Sequence, residues 1–302
     1  MRRQRRLATL PGLTAAVGII VITTLAATPV AAATTTTVPP SSVSVPAPAH
    51  LIDMAQPRSD GTIWVLHGTR AKKTLTQINV ISQVAVGSEV VSPYAESVAL
   101  AAQGITLTVG TTKGAYPAVV WYNAITGDFM QAAKAALPIT QVAVDAEGDA
   151  ITSLRGTPGH QMVAVTGISN SHSFHYPVTD HAVDVAVSAS GSTIYVLHAD
   201  GTITSLAFPV GTPATVADVP ASAQAMTLSP NGQTLYVLEK PSQAGAATSV
   251  AIVSLRTDSV VGSVPVTGHC VSLAVSLDGK TLLEGITGQS SSSIKLVVIP
   301  RT

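Results

Sequence analysis

Cysteine is almost missing from this chain. Cys270 stands alone among 302 residues, so no internal disulfide forms and no disulfide framework supports the fold. Aromatic residues are scarce as well, with two Trp, three Phe and six Tyr. Any core must therefore be built from aliphatic side chains. Charged residues make up 11% of the chain, less than half of the roughly one quarter usual in globular proteins. The formal net charge of zero hides an asymmetry. Arg2, Arg3, Arg5 and Arg6 crowd the first six residues, and setting them aside leaves 12 of the 16 basic residues against 16 acidic ones. No basic stripe with interleaved aromatics runs along the sequence, so a nucleic-acid partner is not expected. The compact catalytic and ligand-binding motifs are missing too: no Gly-x-Ser-x-Gly elbow, His-Glu-x-x-His helix, phosphate loop or calcium loop occurs. Asp184, Asp218 and Asp258 are isolated acids without a partner suited to glycoside hydrolysis.

What is present begins with an export-like opening. The basic Met1–Arg6 is followed by an apolar run from about Leu13 to Leu25 and then by Thr28-Pro-Val-Ala-Ala-Ala33. That is the order of a secretory signal, with an A-x-A-like site at Ala31–Ala33. The alternative is an uncleaved anchor, because Leu7–Ala33 carries no charge and a membrane span needs about 20 residues. Residues 34–49 form a Thr/Pro-rich linker, extended by its prolines. The sequence thus predicts a signal or anchor over 1–33, the linker over 34–49 and a β domain over 50–302.

The body repeats itself. Val183–Ser188, a turn at Gly191 and Thr193–His198 form one hairpin unit. Ala225–Ser229, Pro230-Asn-Gly232 and Thr234–Glu239 form a second, and Val271–Ser276, Asp278-Gly279 and Thr281–Glu284 a third. Each is an apolar strand, a tight glycine turn and another strand. Weaker copies start near Ile52, Val98 and Val142, and successive first strands lie 46, 44, 43, 40 and 48 residues apart. Short strands at that period read as a β-propeller with four strands per blade. Six blades are expected, or seven if the looser first half hides another unit. A pair of stacked sheets is the competing architecture. Only five fourth strands can be found, so the linker segment Ser42–Val45 is expected to complete the last blade and close the ring, which removes an exposed sheet edge.

Val185–Val196, Ser229–Leu238 and Leu273–Leu282 resemble the YVTN-type β-propeller repeat, whose core reads Ala-Val-Ser-Pro-Asp-Gly-Lys-Thr-Leu-Tyr-Val. The resemblance is good over three blades and loose over three. The Gly-x-x-Pro that often precedes the family's inner strand is incomplete here, since Gly268-His-Cys-Val271 keeps only the glycine. The resemblance implies a propeller of the lactonase-like superfamily, and no particular activity.

Propeller function usually sits on loops. The loops joining fourth to first strands and second to third strands share one face, and five residues should project there. His181 and His269 lie four residues before Val185 and Leu273; His67, His198 and Glu239 end second strands. A histidine-lined mouth suits metal binding or acid–base work; inheritance of one ancestral loop histidine explains the same pattern without function. His172 and His175 alternate to opposite faces of a strand, and adjacent His269 and Cys270 point apart, so neither pair makes a site. The expected protein is an exported, monomeric, non-catalytic propeller without cofactor or metal. It would bind a protein or small molecule at this loop face, and meet a membrane only if its N-terminal segment is retained. The competing functions are a lactonase-like or metal-dependent hydrolase at the channel mouth and an envelope-tethered structural protein.

Overall fold

The computed structural model describes residues 42–114, 116–154, 162–168, 173–178, 181–209, 211–240, 248–288 and 290–299. The readings of 1–33, of the first half of the linker (34–41) and of His172 fall outside these residues. In chain order, β1 is Ser42–Ala47. Blade 1 holds β2 (Leu51–Met54), β3 (Thr62–Gly68), β4 (Lys73–Asn79) and β5 (Val84–Val91). Blade 2 holds β6 (Ala95–Leu100), β7 (Thr106–Thr111), β8 (Ala118–Asn123) and β9 (Phe129–Lys134). Blade 3 holds β10 (Ile139–Val144), β11 (Ala150–Leu154), β12 (Met162–Thr166) and β13 (Ser173–Pro177). Blade 4 holds β14 (Ala182–Val187), β15 (Thr193–His198), β16 (Thr202–Ala207) and β17 (Ala214–Asp218). Blade 5 holds β18 (Ala223–Leu228), β19 (Thr234–Glu239), β20 (Thr248–Ser254) and β21 (Ser259–Val266). Blade 6 holds β22 (Cys270–Val275), β23 (Thr281–Ile286) and β24 (Ser292–Val298), with β1 as its fourth strand.

The protein is an all-β, six-bladed propeller of four-stranded antiparallel sheets. Neither a seventh blade nor a pair of stacked sheets is needed for the described residues. The linker closes the ring: Val43 pairs with Leu296 and Val45 with Ile294. Pro46 is accommodated because β1 is the outermost strand of its sheet, where a missing N–H breaks no central ladder.

The core is divided into six slabs, one between each pair of neighbouring blades. Trp64, Leu66 and Leu75 of blade 1 pack on Val98, Leu107 and Val109 of blade 2. On the other face of the same strand, Ile63 and Val65 pack on Val45, Leu283 and Ile294 of blade 6. Middle strands are thus buried on both sides, which is why they read as unbroken apolar runs rather than alternating ones. Both tryptophans lean into the next blade and satisfy their indole N–H there. Trp64 donates to Ala124 O at 3.0 Å and Trp121 to Gly148 O at 3.0 Å.

The glycine turns keep one geometry. Gly61, Gly104, Gly148, Gly191, Gly232 and Gly279 occupy matching places between first and second strands, all with φ between +68° and +95°. In the three clearest repeats a serine hydroxyl clamps the turn. Ser188, Ser229 and Ser276 Oγ accept from the N–H of Thr193, Thr234 and Thr281 at 2.9–3.0 Å.

Candidate functional site

Every inner strand carries the same irregularity. Its register against the second strand slips by one residue near its start, between Leu51 and Asp53, Ala95 and Ser97, Ile139 and Gln141, Ala182 and Asp184, Ala223 and Ala225, and Cys270 and Ser272. A bulge disrupts the ladder locally, and a buried N–H left without a partner costs about 1–3 kcal/mol. Polar side chains just past the bulges supply partners. Asp53 Oδ1 accepts from Met54 N at 2.8 Å and Ser272 Oγ at 2.6 Å. Its Oδ2 accepts from Ser97 Oγ at 2.8 Å and Val98 N at 2.9 Å. Ser97 Oγ accepts in turn from Val142 N at 3.1 Å, and Ser272 Oγ from Met54 N at 3.1 Å. Asp184 accepts from Val185 N at 2.7 Å and from Met226 N at 2.5 Å. These bonds stitch blade 6 to 1, 1 to 2, 2 to 3 and 4 to 5 around the axis.

Inside this ring lies a cavity of about 170 Å³. Its walls run from the bulges to the turns that follow the inner strands, so it opens on the face of those turns. Gln56 spans part of the mouth. Its Nε2 reaches from blade 1 past blade 6 to Thr227 Oγ1 and Leu228 O of blade 5, at 3.5 Å each. Asp53 and Asp184 stand on opposite walls, in blades 1 and 4. Burial pushes Asp53 up from the usual carboxylate range, against four hydrogen bonds that pull it down. Burial pushes Asp184 up to about 8, with the Asp53 charge adding to it and two N–H bonds opposing. Four donors fill the acceptor sites of Asp53. Asp184 accepts two among the described residues.

The five residues singled out in the sequence lie elsewhere. None lines the cavity; all sit at the opposite ends of the blades, where inner strands begin and second strands end. Three act within their own blade. His67 Nε2 bonds Thr76 Oγ1 at 2.8 Å, His198 Nε2 bonds Thr204 Oγ1 at 2.9 Å, and Glu239 Oε2 accepts from Ser249 Oγ at 2.8 Å. Each ties the end of a second strand to the third. Partial burial lowers the His67 pKa. His181 and His198 come together at the same end of blade 4, where Ala199 N donates to His181 O at 2.9 Å. His269 is exposed, and its carbonyl accepts the equivalent bond from Thr287 N at 3.0 Å in blade 6. Among the described residues no three His, Cys, Asp or Glu side chains are placed to hold a metal ion.

Two features escaped the reading of the sequence. His50 immediately precedes β2 as His181 precedes β14 and His269 precedes β22, so its place in the repeat was readable. The polar ring was also marked, because Asp53, Ser97, Asp184 and Ser272 recur at one register of otherwise apolar strands.

Fold and channel together define a class: a six-bladed β-propeller closed by a strand from its N-terminal side. Within that class, a solved structure of Kuenenia stuttgartiensis hydrazine synthase superposes with a TM-score of 0.61, over 82% of this chain and 84% of that one, at 13% identity. At that identity the two share the fold. No family model and no curated protein matches the sequence.

Proposed function

We propose that this chain is an exported, non-catalytic binding propeller that meets its partner through the face where inner strands begin. The observation that carries this reading is the use made of the polar residues on that face. His67, His198 and Glu239 hold second to third strands within single blades, and so serve to stiffen the loop-bearing ends. A rigid ring presenting variable loops is a binding scaffold. The Ser-x-x-Gly turn phrases of blades 4, 5 and 6 support descent from a YVTN-type repeat, and the basic-then-apolar opening over 1–33 supports export.

A hydrolase is the second reading. It is favoured by the opposed Asp53 and Asp184 of the channel. Metal analysis of the purified protein separates the two. The binding reading expects no stoichiometric metal; metal present at one equivalent, and lost in a His198→Ala/His269→Ala variant, would overturn it. N-terminal sequencing of the mature protein tests export. A start near Thr34 supports secretion, and an intact Met1 on membrane-associated protein supports an envelope-tethered role instead.

A further inference from the structure

The loop face is not uniform. On blades 1 and 2 it gathers exposed cations and tyrosines that lie far apart in the sequence. The β3–β4 loop brings Arg70 and Lys72, both exposed. Lys73, next in line, is buried and fastens this loop to blade 2 through Ala95 O and a 3.0 Å ion pair with Glu96. Tyr94 therefore stands beside that loop. Its carbonyl accepts from Thr112 N at 3.0 Å, and Lys113 places its ammonium 5.9 Å from the Tyr94 ring centre. Tyr116 follows on the same β7–β8 loop, with Lys134 from the end of β9 at 5.4 Å from its ring centre. None of Arg70, Lys72, Lys113 and Lys134 joins an ion pair among the described residues. The chain outside its N-terminal arginines is acidic in balance, so four uncompensated cations on two neighbouring blades are a concentration of one sign.

We infer that the blade 1–2 sector of the loop face, built on Arg70, Lys72, Tyr94, Lys113, Tyr116 and Lys134, is a docking surface for an acidic protein segment. This surface rests on the binding-module reading above and adds the partner's chemistry. Arg and Tyr are the side chains enriched in protein interfaces, and complementary charge steers association. Single-stranded nucleic acid is a poorer fit. It requires free aromatic faces for stacking, whereas here each ring already has a lysine over it.

The test uses the whole purified chain and three labelled probes of equal charge: a deca-glutamate peptide, a single-stranded oligonucleotide and vesicles rich in anionic lipid. The expected result is peptide binding that weakens as salt rises past the range where exposed charges are screened. It should fall about tenfold or more in Arg70→Glu/Lys72→Glu/Lys113→Glu/Lys134→Glu, since each exposed pair contributes about 0.2–1 kcal/mol. That variant should keep the wild-type melting temperature, because all four side chains are exposed. As a fold-neutral check, Lys280→Glu on the opposite face should bind the peptide unchanged. Binding of the oligonucleotide or vesicles in preference to the peptide overturns the acidic-protein partner while leaving the binding-module reading intact. No probe bound at low salt, or equal loss from Lys280→Glu, overturns the docking surface. The binding-module reading fails separately, through the metal analysis.

Discussion

Buried polar side chains decide more of this structure than their number suggests. Ser97 and Ser272 each accept an N–H from the next inner strand while donating to Asp53. Replacing either with alanine strands a buried N–H and removes a donor from a buried carboxylate. Each Ser→Ala variant should lose roughly 1–3 kcal/mol in chemical denaturation, and the double variant should deviate from additivity because both share Asp53. Glu284 is a sharper case. It is 0% exposed, faces the blade 5–6 slab beside Cys270, and neither of its oxygens has a hydrogen bond among the described residues. Lys295 lies 3.8 Å away. Burial lifts Glu284 to about 7, and Lys295 only partly offsets that. Burial, and then the Glu284 charge, push the Cys270 thiol up to about 12, so it stays protonated and unreactive.

The pH dependence follows. A carboxyl whose folded pKa is raised favours the folded state while it is protonated. That contribution is complete below about pH 4.5 and is lost as pH climbs through about 7. In Glu284→Gln the loss should vanish. The variant's stability relative to wild type should therefore rise by roughly 3 kcal/mol between pH 4.5 and pH 8, as read from melting curves at matched ionic strength. A flat difference across that range would show that Glu284 titrates normally.

At the scale of elements, loops and edges carry the constraint. Gly201, between β15 and β16, has φ +92° and would place a Cβ 1.9 Å from Val219 O. Gly232 has φ +68° with nothing within 4 Å of its Cβ. Gly232→Ala should therefore cost only the left-handed backbone term, about 1–2 kcal/mol. Gly201→Ala must also move backbone, and should cost more than twice as much in the same denaturation assay. Outer strands are the other exposed element. Val84, Val86 and Val90 of β5 are all more than half exposed, a hazard for edge pairing. Register slips between the third and fourth strands of blades 1, 2, 4 and 5 kink four of these edges. Bulges of this kind discourage a second sheet from docking on the edge.

The whole molecule depends on closure. Val45 is 0% exposed and sits in the slab that joins blade 6 to blade 1. Without β1, that slab loses one wall and β24 becomes an open edge. A chain starting at residue 50 should melt well below the full-length protein and lose its single transition. Val45→Asp should reproduce much of this effect, because it buries an unpaired carboxylate in the same slab. If the shortened chain melts like the intact one, closure is not what holds the ring.

The sequence by itself determined the blade, its repetition and even the borrowed closing strand. Those rest on local signals: apolar runs, a glycine able to take positive φ at each turn, and a period of forty-odd residues. It could also place His67, His181, His198, Glu239 and His269 at one end of the blades, since register within a hairpin is local. Only the tertiary structure decided what meets across blades. Asp53 joins Ser272 across 219 residues and Ser97 across 44, and Arg70, Tyr94, Lys113 and Lys134 converge from separate loops. Such meetings depend on how far each blade is turned against the next, and that angle is set by the packing of whole slabs. No run of neighbouring residues carries it.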